Sequence, residues 1–425
     1  GGSNAAALRP FLTDKNAAYR AAAALAFGSV QDKAAVPALA PLLADKSPAV
    51  RRAAAFALGQ TGDSLAVPAL TARLGQPEAN APARRATYEA LGRCVSRRQV
   101  AGLWQAPAAG PDSATANGRA WALYRAALRG LGTAEVVGQA AALLARSGPA
   151  LAPARAGASA ALARVRGQDS ALARVARPVL LKGLATDPSY YVRVNCASAL
   201  GRIATRPGVL GALLSATTDA DFRVRVAALR ALPITRPATS PEERRGSYLE
   251  AALSKALALC SIRVQEIVLQ PQASAQEALT GAEWFLRTSL DTARNSSSVR
   301  RGYAGQLQDI ARQVPYFRAR ATVLQAALRQ MPSAGRPMLA DTIRSRYQRT
   351  TNQYEKAALL TALSEDPAQF NFLAKEATLT TGPPVVPGAA LAALVALREN
   401  KRFPAARQAD FTAALHRALA GGAEL

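Results

Sequence analysis

Alanine- and leucine-rich runs recur along the chain, and polar positions interrupt them with the period of a helix. One run reads AAAALAF near the start, and another reads GAALAALVALREN near the end. Amphipathic segments of similar length, such as YLEAALSKALALC and VRRGYAGQLQDIARQV, fill much of the second half. Strand-type alternation of apolar and polar residues is absent. The pattern therefore predicts an all-α chain.

Two stretches near the start almost duplicate each other. Residues 12–39 read LTDKNAAYRAAAALAFGSVQDKAAVPAL, and residues 43–70 read LADKSPAVRRAAAFALGQTGDSLAVPAL, with an offset of 31 residues throughout. Self-similarity at such a period is the signature of a solenoid built from stacked helix pairs. A solenoid also accommodates 425 residues, because each repeat needs to contact only its neighbours.

A fixed spacing recurs inside the repeats: an acid, an arginine six residues later, and a glycine eight residues after that. Four instances are complete, and in a fifth a proline replaces the glycine. Such regular spacing is very improbable by chance. The instances are Asp14, Arg20 and Gly28; Asp45, Arg51 and Gly59; Glu78, Arg84 and Gly92; Asp187, Arg193 and Gly201; and Asp219, Arg225 and Pro233.

Each member of this spacing has a structural interpretation. The acid lies in the turn before the second helix of a pair, where a carboxylate suits free N–H groups and the positive helix end. The arginine enters the first turn of that helix, and we expect it to reach an acid in its own or the neighbouring repeat, forming a ladder. The glycine is expected to end the helix as a left-handed cap. We therefore interpret these acids and arginines as structural.

The motif resembles the HEAT family, particularly its short alanine-rich variety. The resemblance is strong over residues 8–93 and 180–235, weaker over 119–168, and reduced to amphipathic helices after about residue 240. It implies an α-solenoid, a superhelix of stacked antiparallel helix pairs whose second helices line the concave side. At a period near 35 residues, the chain has room for about 10–12 HEAT-like repeats.

The strength of the motif divides the chain. Residues 1–235 are predicted to be well-formed HEAT-like repeats, with a Pro- and Gly-rich loop insertion at 105–118. Residues 236–425 are predicted to be diverged helical repeats that continue the solenoid. A separate helical domain is the competing interpretation of the second half.

The chain carries a net charge of +25, from 53 basic and 28 acidic residues. The charge is spread evenly, although residues 113–182 hold only Glu135 and Asp169 as acids. This balance favours either nucleic-acid binding or an acidic protein partner. A third explanation is an arginine-rich proteome combined with arginines that are already paired in the ladder.

Few residues qualify for chemistry. His416 is the single histidine, and Cys94, Cys196 and Cys260 are far apart without metal-ligand spacing. No phosphate-binding, dinucleotide-binding or metalloprotease motif occurs. We therefore predict no catalytic residue, no metal site and no cofactor. The sequence contains no run of 18 or more apolar residues, so we predict no transmembrane helix.

Some basic and aromatic residues are candidates for binding on the concave side. In the doublets Arg51-Arg52 and Arg84-Arg85, the second arginine is free to point there. The helix GRAWALYRAALRG adds arginines and a tryptophan, a mixture that suits nucleic acid. The alternative for that helix is a buried stripe of Trp121, Tyr124 and Leu128, which we favour. The candidates are Arg52, Arg85, Arg119, Arg125 and Trp121.

The leading functional hypothesis is a non-catalytic, monomeric scaffold that binds a protein or peptide, preferably acidic, through its concave surface. The opening repeats are also similar to the HEAT region that precedes a cyclophilin-type peptidyl-prolyl isomerase domain in some bacterial envelope proteins. That resemblance implies an isomerase domain beyond Leu425 and an envelope or periplasmic location; otherwise we expect the cytoplasm. The alternative is nucleic-acid binding, since some HEAT-like proteins are DNA glycosylases for alkylated bases.

Overall fold

The chain folds into helices joined by short turns. The computed structural model describes residues 7–100, 113–233, 245–261, 271–287, 297–379, 382–399 and 403–420. In these ranges every regular element is helical, and the chain forms two compact units, Gly1–Ala216 and Thr217–Leu425. Helix pairs follow one another within each unit, so the predicted all-α solenoid is confirmed. The predicted boundary near residue 235 lies within the second unit and stays a prediction.

The first unit contains eleven α-helices of four or more residues in its described part. We call α1, α3, α5, α6, α8 and α10 the second helices, because they pack on one another in that order. The helices are α1 Ala17–Val30, α2 Val36–Leu39, α3 Pro48–Thr61, α4 Val67–Leu74, α5 Ala81–Cys94, α6 Ser113–Leu128, α7 Ala134–Leu144, α8 Ala152–Arg164, α9 Arg177–Thr186, α10 Tyr190–Gly201 and α11 Val209–Ala216.

The second unit continues the alternation of helices in its described residues. Its second helices are α12, α14, α16, α18 and α20. The helices are α12 Phe222–Ala231, α13 Arg245–Cys260, α14 Pro271–Arg287, α15 Ser297–Gln313, α16 Phe317–Gln330, α17 Arg336–Arg349, α18 Gln353–Leu363, α19 Phe370–Ala377, α20 Val385–Glu399 and α21 Gln408–Ala420.

Local sequence explains why the second helices are regular and several first helices are short. The side chain of Asn16 accepts a hydrogen bond from the Ala18 N–H at the start of α1, and Asn80 does the same for Ala83 at the start of α5. In the first helix of the next pair, Pro37 and Pro41 remove two N–H donors. The segment therefore breaks into α2 between two 3₁₀ turns.

The second helices pack directly on one another. In the first unit α1 packs on α3, α3 on α5, α5 on α6, α6 on α8 and α8 on α10. In the second unit the order is α12, α14, α16, α18 and α20. The buried residues are mainly alanine, leucine and valine, such as Ala54, Leu58 and Leu91. Small alanine side chains permit this close stacking.

The motif glycines do not cap helices as we predicted. Gly28, Gly59 and Gly92 lie inside α1, α3 and α5, and none has a positive φ angle. A Cβ atom on Gly59 would lie 2.9 Å from the Cα atom of Ala90 on the next helix. The glycines are therefore present because the neighbouring backbone leaves no room for a side chain. The left-handed caps follow three residues later, at Gln31 and Gly62.

The predicted loop insertion at 105–118 is partly helical. Residues 113–118 form the start of α6. Residues 105–112 lie outside the described residues, as does Trp104. The reason for the difference is that the sequence SATANG contains no proline, and its small residues pack against α5: a Cβ on Gly118 would meet the Tyr88 ring.

None of the described helices combines the length and apolar character needed to cross a bilayer.

Candidate functional site

The motif arginines join neighbouring repeats through their second helices. The Nε and Nη2 groups of Arg20 donate to the two carboxylate oxygens of Asp45 at 2.7 and 2.9 Å. Its Nη1 group donates to the backbone carbonyls of Asp14 and Lys15 at 2.7 and 3.1 Å. Arg20 therefore fastens the turn of its own repeat to the acid of the next repeat. We call this arrangement the arginine ladder.

The same geometry recurs at other repeats. Arg51 donates to both oxygens of Glu78 at 2.7 Å, and Arg155 donates to Asp187 at 2.7 Å. In the second unit, Arg225 donates to both oxygens of Glu277 at 2.6 and 3.1 Å. The bidentate contacts of Arg51 and Arg225 are the strong form of an arginine–carboxylate interaction.

Two further motif arginines make the same kind of contact with the backbone of their own turn. Arg84 donates to the carbonyl of Glu78 and, at 3.2 Å, to the hydroxyl of Thr115. Arg193 donates to the carbonyl of Asp187 at 2.8 Å. Asp219 accepts the N–H of Asp221 at 2.8 Å, and Arg225 donates to the Asp219 carbonyl at 2.7 Å. The motif therefore also stabilises the turn before each second helix.

Two carboxylates of the ladder, those of Asp45 and Glu78, are held in their charged form. The hydrogen bond from Arg20 lowers the pKa of Asp45. Burial alone would raise the pKa of Glu78, but hydrogen bonds from Arg51, Asn80 and Arg73 outweigh it and lower the pKa to about 2. A carboxylate with this pKa is a poor proton acceptor at neutral pH, so it is unsuited to general base catalysis.

A groove runs across the exposed faces of the second helices in the first unit. It encloses a cavity of about 680 Å³, which is within the usual range for ligand sites. Its walls come from α1, α3, α5, α6 and α8. Alanine is the commonest residue in them, and the side chains of Leu25 and Phe56 are 46% and 41% exposed. Arg52, Arg85 and Glu89 supply the charges.

One end of the groove holds a cluster of basic and aromatic side chains. Arg85 pairs with Glu89 at 2.9 Å, and its guanidinium carbon lies 5.4 Å from the centre of the Trp121 ring. Arg125 pairs with Glu89 at 3.7 Å and lies 5.5 Å from the centre of the Tyr124 ring. The two rings meet edge to face at 5.4 Å. Both aromatic rings are therefore covered on one face by a cation.

The structure brings together four of the five predicted binding residues. Arg52 and Arg85 line the groove, and Trp121 and Arg125 contact the cluster around Glu89. Arg119 lies on another face of α6 and is not among the described residues that line the groove.

The favoured buried stripe on α6 was wrong, because its members are not part of the core. Trp121 and Tyr124 are half-buried, and Leu128 is 48% exposed. The face of α6 that carries them meets Arg85 of α5 instead of a first helix.

Sequence reasoning missed several groove residues that share a simple register. Ala21, Arg52 and Arg85 each follow a motif arginine by one residue, while Leu25, Phe56 and Glu89 follow it by five. Positions four residues apart lie on the same face of a helix. The repeat motif could therefore have predicted all six groove positions from the arginine alone.

None of the remaining titratable candidates is among the described residues that line this groove. His416 is exposed on α21. Cys94, Cys196 and Cys260 are buried, and burial raises the pKa of Cys94 to about 12. The part of the chain that the structure describes brings no three metal-ligating side chains together.

Comparisons with known proteins agree with this architecture. A family model described as HEAT repeats matches residues 5–101 and 177–258, and these two segments are HEAT repeats. A comparison with curated proteins finds no match.

The chain is also similar to solved structures of Kap121p and importin beta. A crystal structure of a Kap121p mutant aligns with 98% of the chain at 12% identity and a TM-score of 0.51. Importin beta aligns with 97% of it at 13% identity and a TM-score of 0.51. The chain spans 52% and 66% of the lengths of these two structures. At such low identity, the similarity shows the fold alone.

Proposed function

We propose that the chain is a non-catalytic scaffold that acts as a monomer and binds a segment of a partner protein in the groove of the first unit. The observation that carries this proposal is the groove itself. It combines half-exposed apolar side chains, Leu25 and Phe56, with arginines at the same register on adjacent helices. Exposed apolar surface rimmed by charge is typical of protein-binding sites.

The chemistry of the groove supports binding over catalysis. Two motif acids of the same helix pairs, Asp45 and Glu78, are bonded to Arg20 and Arg51 and have lowered pKa values. The thiols are buried, and the histidine lies on α21. A catalytic site needs an activated nucleophile or a base near a bound substrate. The described residues that line the groove include one hydroxyl, that of Ser113, and one carboxylate, that of Glu89, which is shared by two arginines.

Selection from a peptide library tests the proposal. A phage-displayed random library is panned against the intact chain at about 150 mM salt, and the affinities of enriched peptides are measured by calorimetry. The double variant Arg52→Ala/Arg85→Ala removes the groove charges. Its matched control is Arg97→Ala/Arg98→Ala, which removes the same charge from an exposed doublet outside the groove lining.

We expect enriched peptides to bind the groove variant about tenfold more weakly and the control variant as tightly as the original chain. Circular dichroism confirms that both variants remain folded. The proposal is wrong if no peptide is enriched, or if the enriched peptides bind both double variants equally.

A finer proposal concerns the natural protein. The repeat motifs SVQDKAAVPAL and ALGQTGDSLAVPAL support a place for this chain in front of a cyclophilin-type isomerase domain in a bacterial envelope protein. Sequencing the gene past the codon for Leu425 tests this. An in-frame β-barrel domain is expected, and a stop codon soon after that position contradicts it.

Nucleic-acid binding, including a glycosylase-like activity, is the competing function. The net charge of +25 and the Arg85–Trp121 contact favour it. However, Arg20, Arg51, Arg155 and Arg225 are already bonded to carboxylates. If nucleic acid is the ligand through six or more phosphate contacts, affinity falls about 10³-fold or more between about 50 and 200 mM salt. We expect only weak binding at low salt and no base excision.

A further inference from the structure

The groove in the first unit has positive charge that the protein itself does not neutralise. Arg52 is exposed and has no ion-pair partner among the described residues. Arg85 and Arg125 share a single carboxylate, that of Glu89. These four side chains therefore leave two positive charges beside apolar walls. A partner with carboxylates at matching positions would complement them.

The two groove arginines are placed by the repeat and not by chance. Arg52 and Arg85 each follow a motif arginine by one residue, so they occupy equivalent positions on α3 and α5. These two helices pack closely, as one distance shows. A Cβ added to Gly59 of α3 would lie only 2.9 Å from the Cα of Ala90 on α5. Closely packed helices lie about 8–10 Å apart, so the arginines should repeat along the groove at about that interval.

This interval selects one peptide conformation. A polyproline II helix has three residues per turn and rises about 3.1 Å per residue, so positions i and i+3 share a face about 9 Å apart. An extended β-strand places same-side residues about 6.6 or 13 Å apart, and neither spacing matches. A polyproline II segment can therefore present one side chain to each successive second helix.

The helices α1 and α6, on either side of α3 and α5, also contribute side chains to the groove or next to it. On α1 the equivalent position is Ala21, and Leu25 beside it is 46% exposed. On the other side, α6 contributes Asn117 to the lining, and its Trp121 ring lies under Arg85. The order along the groove is thus apolar, basic, basic, aromatic.

We infer that the groove binds a polyproline II segment with two acidic residues three positions apart, flanked at the same spacing by large apolar residues. This inference rests on the proposed function and specifies its partner. The carboxylates would pair with Arg52 and Arg85. The apolar side chains would pack on Leu25 and near Trp121.

Two peptides of equal composition test the spacing. The probe is fluorescein-labelled FPPEPPEPPF, whose palindromic order makes the direction of binding irrelevant. The reference is FPPEPEPPPF, in which the acids are two positions apart. Fluorescence anisotropy with the intact chain measures both affinities at about 150 mM salt.

We expect the probe to bind about tenfold more tightly than the reference, as two exposed ion pairs would allow. Arg52→Ala/Arg85→Ala should remove this difference, and Arg97→Ala/Arg98→Ala should preserve it. The inference is overturned if the two peptides bind equally, if the control variant loses as much as the groove variant, or if a ten-nucleotide oligothymidine displaces the probe more effectively than unlabelled probe does.

The outcome also separates this inference from the proposed function. If library-selected peptides depend on Arg52 and Arg85 but neither designed peptide binds, the inference fails and the scaffold proposal stands. If no peptide of either kind depends on the two arginines, both fail.

Discussion

At the scale of single residues, Glu78 is the most heavily bonded acid of the ladder. It accepts two hydrogen bonds from Arg51, one from Arg73 and one from the N–H of Asn80, and its side chain is only 7% exposed. These donors lower its pKa from 4.5 to about 2. The bonds are therefore stronger to the carboxylate than to the carboxylic acid, and folding stability must depend on pH.

The direction of this dependence follows from the lowered pKa. Glu78 contributes its full stabilisation above the pKa of the unfolded chain, near 4.3, and loses it as pH falls towards the folded value. A difference of about two pKa units corresponds to about 3 kcal/mol in the free energy of unfolding. Urea unfolding of the chain between about pH 5 and pH 2 should show this loss.

Replacement of Glu78 by glutamine should remove the same contribution at neutral pH. Glu78→Gln leaves Arg51 and Arg73 without a charged partner, and we expect a cost of about 2–4 kcal/mol. The variant should also lose less stability than the original chain below pH 4. Asp309→Asn, at an exposed pair with Arg312, is the control and should change stability by less than about 0.5 kcal/mol. Equal effects of the two substitutions would refute a special role for Glu78.

A second prediction concerns the residue that ends α1. Gln31 has a φ of 58°, a left-handed conformation that glycine adopts without strain and that Gly62 occupies in the next repeat. Gln31→Gly should therefore raise the free energy of unfolding by about 0.5–1 kcal/mol. Ser29→Gly, two residues earlier within the same helix, should lower it by a similar amount. Thermal unfolding of both variants measures the contrast, and a loss of stability in Gln31→Gly would contradict it.

The ladder shows how far sequence alone reaches at this scale. Arg51 and Glu78 are both motif residues, so their pairing followed from the regular spacing of neighbouring repeats. Arg225 reaches Glu277, which is 52 residues away and belongs to no complete motif. The sequence between the helices that carry Arg225 and Glu277 is longer than in the other repeats. The equivalence of these two repeats therefore cannot be recognised from a constant spacing. Sequence spacing predicts partners only where the repeat length is constant.

At the scale of helices, close approach is the feature that the sequence did not distinguish. A glycine near the end of a helical run fits a left-handed cap, which was our prediction for Gly92. A glycine near the end of a helix is also expected where the backbone of another helix packs too closely for a side chain. Only the packed structure separates them, because the neighbour that excludes a side chain, Ala122, is 30 positions further along the chain.

The close approach of α5 to α6 can be tested directly. A Cβ at position 92 would lie 2.7 Å from the Cα of Ala122, so the backbones would have to separate. We expect Gly92→Ala to lower the free energy of unfolding by about 1–3 kcal/mol. Gly138 lies inside α7 with nothing within 4 Å of its would-be Cβ. Gly138→Ala should instead stabilise the chain by up to about 1 kcal/mol through higher helix propensity. Destabilisation by both would show that helix propensity is not the deciding factor.

The groove illustrates a similar limit at this scale. The arginine doublets did predict Arg52 and Arg85, and the same register after the motif arginines could have predicted Leu25 and Phe56. The stacking of Arg85 on Trp121 could not be predicted, because the two residues come from neighbouring helices whose repeat is interrupted by residues 101–112. The residues on one face of a helix can be predicted from the helical period of its own sequence. The side chains that this face contacts depend on the neighbouring helix.

At the scale of the molecule, the ladder predicts which helices lose stability when one of its ion pairs is broken. In the part of the chain that the structure describes, ladder arginines such as Arg20 bond their own turn and the acid of the next repeat, and second helices pack on their immediate neighbours within each unit. In such an array, stability is approximately a sum of local and nearest-neighbour contributions. A broken ladder contact should therefore loosen nearby helices and leave distant ones protected.

Hydrogen exchange measured by mass spectrometry tests this in the intact chain. In Glu78→Gln we expect amides in α3 and α5 to exchange about 30-fold faster or more, as a loss of about 2 kcal/mol requires, while α16 and α18 in the second unit keep their protection. Arg225→Gln breaks the ion pair with Glu277 and should give the converse pattern, with faster exchange in α12 and α14 and unchanged exchange in α3. If either variant exposes both units equally, the chain unfolds as one cooperative body and the nearest-neighbour description does not apply. If the patterns separate, the groove in the first unit keeps its geometry even when an ion pair of the second unit is broken, as expected of a scaffold whose binding surface is assembled one repeat at a time.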